Sequence, residues 1–93
     1  MARKTVRYNQ DGAAKLPNDK PAVYKIQTEG GRTNYVGVAK RGRVEERILE
    51  HLDQGRIPGA KVQVQQVPSI DEAKQIEARV IARSRPKYNE QDK

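Results

Sequence analysis

The chain has no cysteine, phenylalanine or tryptophan, and a single histidine among its 93 residues. Without thiols there is no disulfide framework, no thiolate zinc site and no cysteine nucleophile, so a reducing, cytoplasmic setting is expected. Long apolar runs are missing too. Nothing approaches the ~20 apolar residues that span a bilayer. The opening MARKTVRYNQDGAAKLPNDK lacks the apolar region of a secretory signal, and no membrane partner is expected. Acidic residues are outnumbered: twelve Asp plus Glu against nineteen Lys plus Arg leave a formal charge of +7. In so short a chain that balance favours a polyanionic partner, nucleic acid first, over an acidic small molecule.

What remains is 34% hydrophobic and 33% charged, with well-defined apolar segments that argue against wholesale disorder. The length suits one small domain with one modest core. Residues 1–20 carry Val6, Tyr8 and Leu16 as their sizeable apolar groups, which suits a basic flexible arm or a short edge strand. Residues 21–93 form the domain proper. PAVYKIQTEGGRTNYVGVA reads as a β-hairpin whose paired glycines supply the positive φ angles of a tight turn. Its alternation puts Tyr24 and Ile26 on one face, and sets Val36 and Val38 opposite Tyr35 and Gly37. A helix follows from about Arg43 to Gln54, with Val44, Ile48 and Leu52 as its inward stripe and Gly55 and Pro58 stopping it. KVQVQQV alternates as a third strand. Ser69 and Glu72 form a capping box that opens a second helix, which runs to about Arg85 before Pro86 ends it. The order ββαβα predicts a small α/β fold: a three-stranded, mostly antiparallel sheet flanked by helices.

Two features bear on chemistry. Arg43, Arg47 and His51 recur at every fourth position and form one ridge beside the apolar stripe of their helix. The ridge is either a solvated face neutralised by Glu45, Glu46 and Glu50, or a row of cations facing a shared anion. In the second helix Ala73, Ile76, Val80 and Ile81 define a stripe, and at 100° per residue Glu77 falls inside it. A carboxylate there needs a metal ion, an arginine or a raised pKa, because burying it uncompensated costs several kcal/mol.

AVYKI, then NYVG, then Arg47 and His51 as RxxxH on a helix, then Glu77, then PKYN ending at Asn89 resemble the GIY-YIG nuclease superfamily in content and order, over residues 21–89. The departures are Ala22-Val23 in place of Gly-Ile, and a slightly long VAKRGRVEE between YVG and the arginine; neither removes a functional group. Tyr24, Tyr35 and Tyr88 all lie in these motifs, in a chain that uses no other aromatic type apart from its histidine.

The resemblance implies a metal-dependent DNA endonuclease. Tyr24 would act as general base, with Arg47 and His51 lowering its pKa, and Tyr35 would bind phosphate or assist. Arg47 would also clamp the phosphate, and His51 would hydrogen-bond a tyrosine or that phosphate. Glu77 would hold the metal near the leaving oxygen, and Asn89 would orient the site or serve as a turn residue at the helix exit. Lys40, Arg41, Arg43 and Lys87 are the candidate DNA contacts. Since Glu77 alone among the acids falls on an inward stripe, one divalent ion is expected, Mg²⁺ or Mn²⁺. With these 93 residues expected to leave no separate recognition element beyond the 20-residue arm, specificity is expected to be low or to come from a homodimer or a protein partner. The alternatives are a non-catalytic nucleic-acid-binding module that retains the fold and, less well matched to Glu77, a small RNA- or ribosome-associated protein.

Overall fold

The computed structural model describes residues 3–89, so the extreme ends of the two expected segments, residues 1–2 and 90–93, lie outside the described residues. The chain runs β1 (Arg3–Arg7), α1 (Gln10–Ala14), β2 (Ala22–Gln27), β3 (Thr33–Ala39), α2 (Val44–Gln54), β4 (Lys61–Gln66) and α3 (Ile70–Ser84). Its strands form one sheet in the order β1-β4-β2-β3, with every pair antiparallel. The expected α/β architecture is present with four strands instead of three.

The extra strand comes from the N-terminal segment, where the edge-strand reading describes Arg3–Arg7. Its one apolar residue, Val6, pairs across from Val62, and the rest of β1 is exposed. An edge strand needs no more than that, which makes it hard to tell from a loop by pattern. The short helix α1 was not expected. Asn9 opens it by accepting a 2.7 Å hydrogen bond from the Gly12 N–H, and Ala13 and Leu16 join the core. Asn18 then caps α2 through a 2.8 Å bond from the Val44 N–H. The hairpin between β2 and β3 forms where expected, but only Gly31 of its two glycines takes a positive φ, +92°.

Strand alternation sends side chains to two helical layers. Ala22, Tyr24, Ile26, Tyr35, Val62 and Val64 face Val44 and Ile48 of α2 and the α1 segment. Val23, Val36 and Val67 face α3 through Ala73, with Val38, Ile70, Ile76, Val80 and Ile81 packed around them. Each fully buried aliphatic side chain contributes roughly 1.5–3 kcal/mol. Ser69 accepts from the Glu72 N–H at 3.2 Å to start α3, and Arg85 ends it in the left-handed region just before Pro86. Among the described residues no helix is long and apolar enough to cross a membrane.

Candidate active site

The site is built on the β2–β3 pair. Tyr24 lies directly across from Gly37, and a Cβ on Gly37 would sit 2.5 Å from the Tyr24 Oη and 2.6 Å from its Cζ. The missing side chain therefore lets the Tyr24 ring lie flat across β3. There its hydroxyl meets His51 of α2, with Oη and Nε2 2.7 Å apart in a hydrogen bond. Tyr35, on the same sheet face, stacks edge-on to the His51 ring at 5.0 Å and lies 6.2 Å from the Tyr24 ring. Tyr24 is fully buried, and Tyr35 and His51 are each only 9% exposed. His51 thus belongs to the inward face of α2 with Val44 and Ile48, while Leu52, expected on the inward stripe, is only half-buried.

The basic ridge divides. His51 turns inward, whereas Arg43 Nε pairs with Glu46 Oε2 at 2.8 Å and Arg47 Nη1 with Glu50 Oε2 at 3.4 Å. Two of the three expected neutralisers are therefore in place. Both pairs are partly exposed, so each contributes no more than about 1 kcal/mol and leaves the arginines available to another anion.

Burial pushes the Tyr24 phenol well above its ordinary pKa, with Tyr35 adding to the rise; Arg47 pulls it down, and Glu77 raises it again. The expected lowering does not occur, because losing water costs a buried phenolate more than one half-exposed guanidinium returns. Glu77 is half-buried. Burial raises its carboxyl pKa, and Lys74, one turn earlier, opposes the rise. Among the described residues it makes no ion pair, and the partner of Arg47 is Glu50. Of the compensations open to Glu77, the arginine is absent, which leaves a metal ion or the raised pKa. No group of three or more His, Cys, Asp or Glu that could hold an ion occurs among the described residues. A partly desolvated carboxylate outside any ion pair suits a hard divalent ion completed by water and substrate oxygens.

Asn89 works from the other side of β3, which is an edge strand. Its Oδ1 accepts from the Val36 N–H and its Nδ2 donates to the Val36 carbonyl, both at 2.9 Å. The amide covers the strand edge between Tyr35 and Gly37, and both of its polar atoms are engaged in doing so. The neighbouring Tyr88 N–H donates to the Asn34 carbonyl. Of the candidate DNA contacts, Lys40 and Arg43 line a cleft of about 270 Å³ with Arg47 and Lys74, floored by Val38, Ala39 and Ile70. Arg41 lines a separate hollow with Asp19 and Lys20, and the Lys87 ammonium lies 5.6 Å from the centre of the Tyr88 ring. Lys74 was missed from the sequence. Its signal was its place one turn before Glu77 on α3.

No family profile and no curated protein matches the chain. Solved structures do. The GIY-YIG N-terminal endonuclease domain of UvrC from Thermotoga maritima, bound to its catalytic divalent cation magnesium, superposes with a TM-score of 0.66 at 25% identity, over 85% of this chain and 93% of that one. An asparagine-to-alanine variant of that domain, also bound to its cation, gives the same score and identity and covers 85% and 92%. A tyrosine-to-phenylalanine variant gives 0.62 at 27% identity, covering 78% and 86%. The chain belongs to the GIY-YIG nuclease superfamily. In this GIY-YIG fold the tyrosine strands are β2 and β3, the RxxxH helix is α2 and the glutamate helix is α3. The superfamily supports a nuclease kind of enzyme and a bound divalent cation.

Proposed function

We propose that this GIY-YIG protein is a DNA endonuclease that hydrolyses phosphodiester bonds with one divalent cation, Mg²⁺ or Mn²⁺. The observation that carries the reading is the 2.7 Å bond between Tyr24 and His51, close to a half-buried glutamate that forms no ion pair among the described residues. Glu77 is the residue that would hold the ion, which supplies positive charge to the phosphate and the leaving oxygen.

The rest is done by side chains. Because its pKa is raised, Tyr24 cannot store a negative charge at neutral pH, but it can pass a proton on. As water attacks phosphorus, its proton moves to Tyr24 Oη and the phenol proton moves to His51 Nε2; the phenol stays neutral and the histidine ends as imidazolium. Tyr35 fixes the His51 ring by edge-on packing. Arg47 meets the charge that develops on the phosphoryl oxygens, while Lys40, Arg43 and Lys74 line the cleft that receives the adjoining backbone. Incubating the purified protein with supercoiled plasmid tests the reading. Nicking that needs Mg²⁺ and stops with EDTA supports it; no cleavage of plasmid, linear, branched or single-stranded DNA would leave a binding module.

A further inference from the structure

The face of the sheet away from Tyr24 is only partly covered. α3 packs on β2 and β3, leaving open the side chains that β4 and β1 present to the same side. Between the flank of α3 and this open sheet runs a groove of about 450 Å³. Arg3, Lys25, Arg79 and Arg83 line it with Gln65, over the partly buried Ile76 and Val80. Among the described residues no acidic side chain lines it, and none of the four cations forms an ion pair. Arg79 and Arg83 are one turn apart on α3, where like charges repel; the helix dipole favours Arg83 in the last turn but gives no reason for Arg79. Arg3 and Lys25 come from strands on either side of β4, whose Gln65 pairs with Arg3 and whose Gln63 pairs with Lys25.

We propose that this groove is a second, non-catalytic binding site for the phosphodiester backbone of DNA. The charge is complementary, and the spread over α3, β2 and β1 suits a run of phosphates better than one small anion. The groove lies on the sheet face opposite Tyr24, since Lys25 follows Tyr24 on β2 and points the other way. DNA is stiff over about 50 nm, so one straight duplex cannot lie along both faces of so small a domain. The groove takes a second segment: another arm of a branched substrate, or a separate duplex. The inference rests on the proposed function only for the choice of DNA, and its test reads binding without cleavage.

The probe is a fluorescent 20-base-pair duplex, titrated without divalent metal over a range of salt concentrations. The variant Lys40→Gln/Arg43→Gln/Lys74→Gln, stripped on the catalytic side, should still bind it. Adding Arg79→Gln and Arg83→Gln to that variant should remove measurable binding, whereas adding Arg32→Gln and Arg56→Gln, which lower the net charge equally, should not. In the parent, Arg79→Gln/Arg83→Gln should flatten the dependence of log K on log salt by about 2, nearly one per lost phosphate contact. Loss of binding in the catalytic-side variant alone, or an unchanged salt dependence after Arg79→Gln/Arg83→Gln, would overturn the proposal even if the protein cleaves DNA. Binding through the groove by a protein that never cleaves would uphold it while removing the nuclease reading.

Discussion

At the scale of single residues, the site turns on two groups whose surroundings disfavour charge. Glu77 has its carboxyl pKa raised by burial. The stability linked to its neutral form is present at low pH and is lost as pH rises through that raised value. A divalent cation at this partly desolvated carboxylate would favour its charged form. Glu77→Gln should leave the fold intact or slightly more stable near neutral pH, abolish cleavage, and cancel any rise in Tm on adding Mg²⁺. In the parent that rise should shrink as the pH falls, because proton and metal compete for one carboxylate. A Mg²⁺-dependent Tm shift of parental size in Glu77→Gln would put the cation elsewhere. Arg47→Ala should cut cleavage by about 10²- to 10³-fold, typical of losing one donor to the transition state, with a smaller loss of DNA affinity. Equal losses in rate and affinity would make it a binding residue only.

At the scale of elements, β3 is what aligns the tyrosines. Gly37→Ala puts a methyl group where the Tyr24 ring lies, so the ring must shift and its bond to His51 must stretch or break. Cleavage should fall far more than DNA binding, and the Tyr24–His51 contact should be altered in NMR spectra of the His51 ring. Asn89→Ala removes both bonds to Val36 and should destabilise the protein by ~1–3 kcal/mol, read as a lower urea midpoint with little change in slope. Both elements were partly legible in the sequence. Period-2 alternation placed Tyr24 and Tyr35 on strands, and the capping box placed Glu77 on its helix, because those patterns follow from backbone geometry. The pairing of Asn89 with Val36 was not, since residues so distant in sequence declare no partner. Nor was the pKa of Tyr24: the arginine and the histidine could be read as neighbours, but how completely the ring is buried depends on Gly37 and α2 together.

At the scale of the molecule, the N-terminal segment is part of the fold. β1 completes the sheet, α1 and the residues just after it contribute Ala13 and Leu16 to the core, and Asn18 caps α2. The edge strand was one of two readings of this polar segment, whereas a five-residue helix leaves too short an apolar pattern to register. Deleting residues 1–20 should abolish the cooperative thermal transition, as it strips one edge of β4 and uncaps the helix that carries Arg47 and His51. A transition unchanged by the deletion would show the segment to be dispensable. The central claim, that the buried Tyr24–His51 pair moves the proton in phosphodiester hydrolysis, is tested most directly by Tyr24→Phe. The substitution deletes one oxygen and with it the buried Tyr24–His51 hydrogen bond, costing about 1–3 kcal/mol of stability. With protein in excess over plasmid and Mg²⁺ present, the account predicts a folded variant that binds DNA with parental affinity and salt dependence, yet nicks it about 10²- to 10⁴-fold more slowly. Nicking by Tyr24→Phe at the parental rate would contradict it.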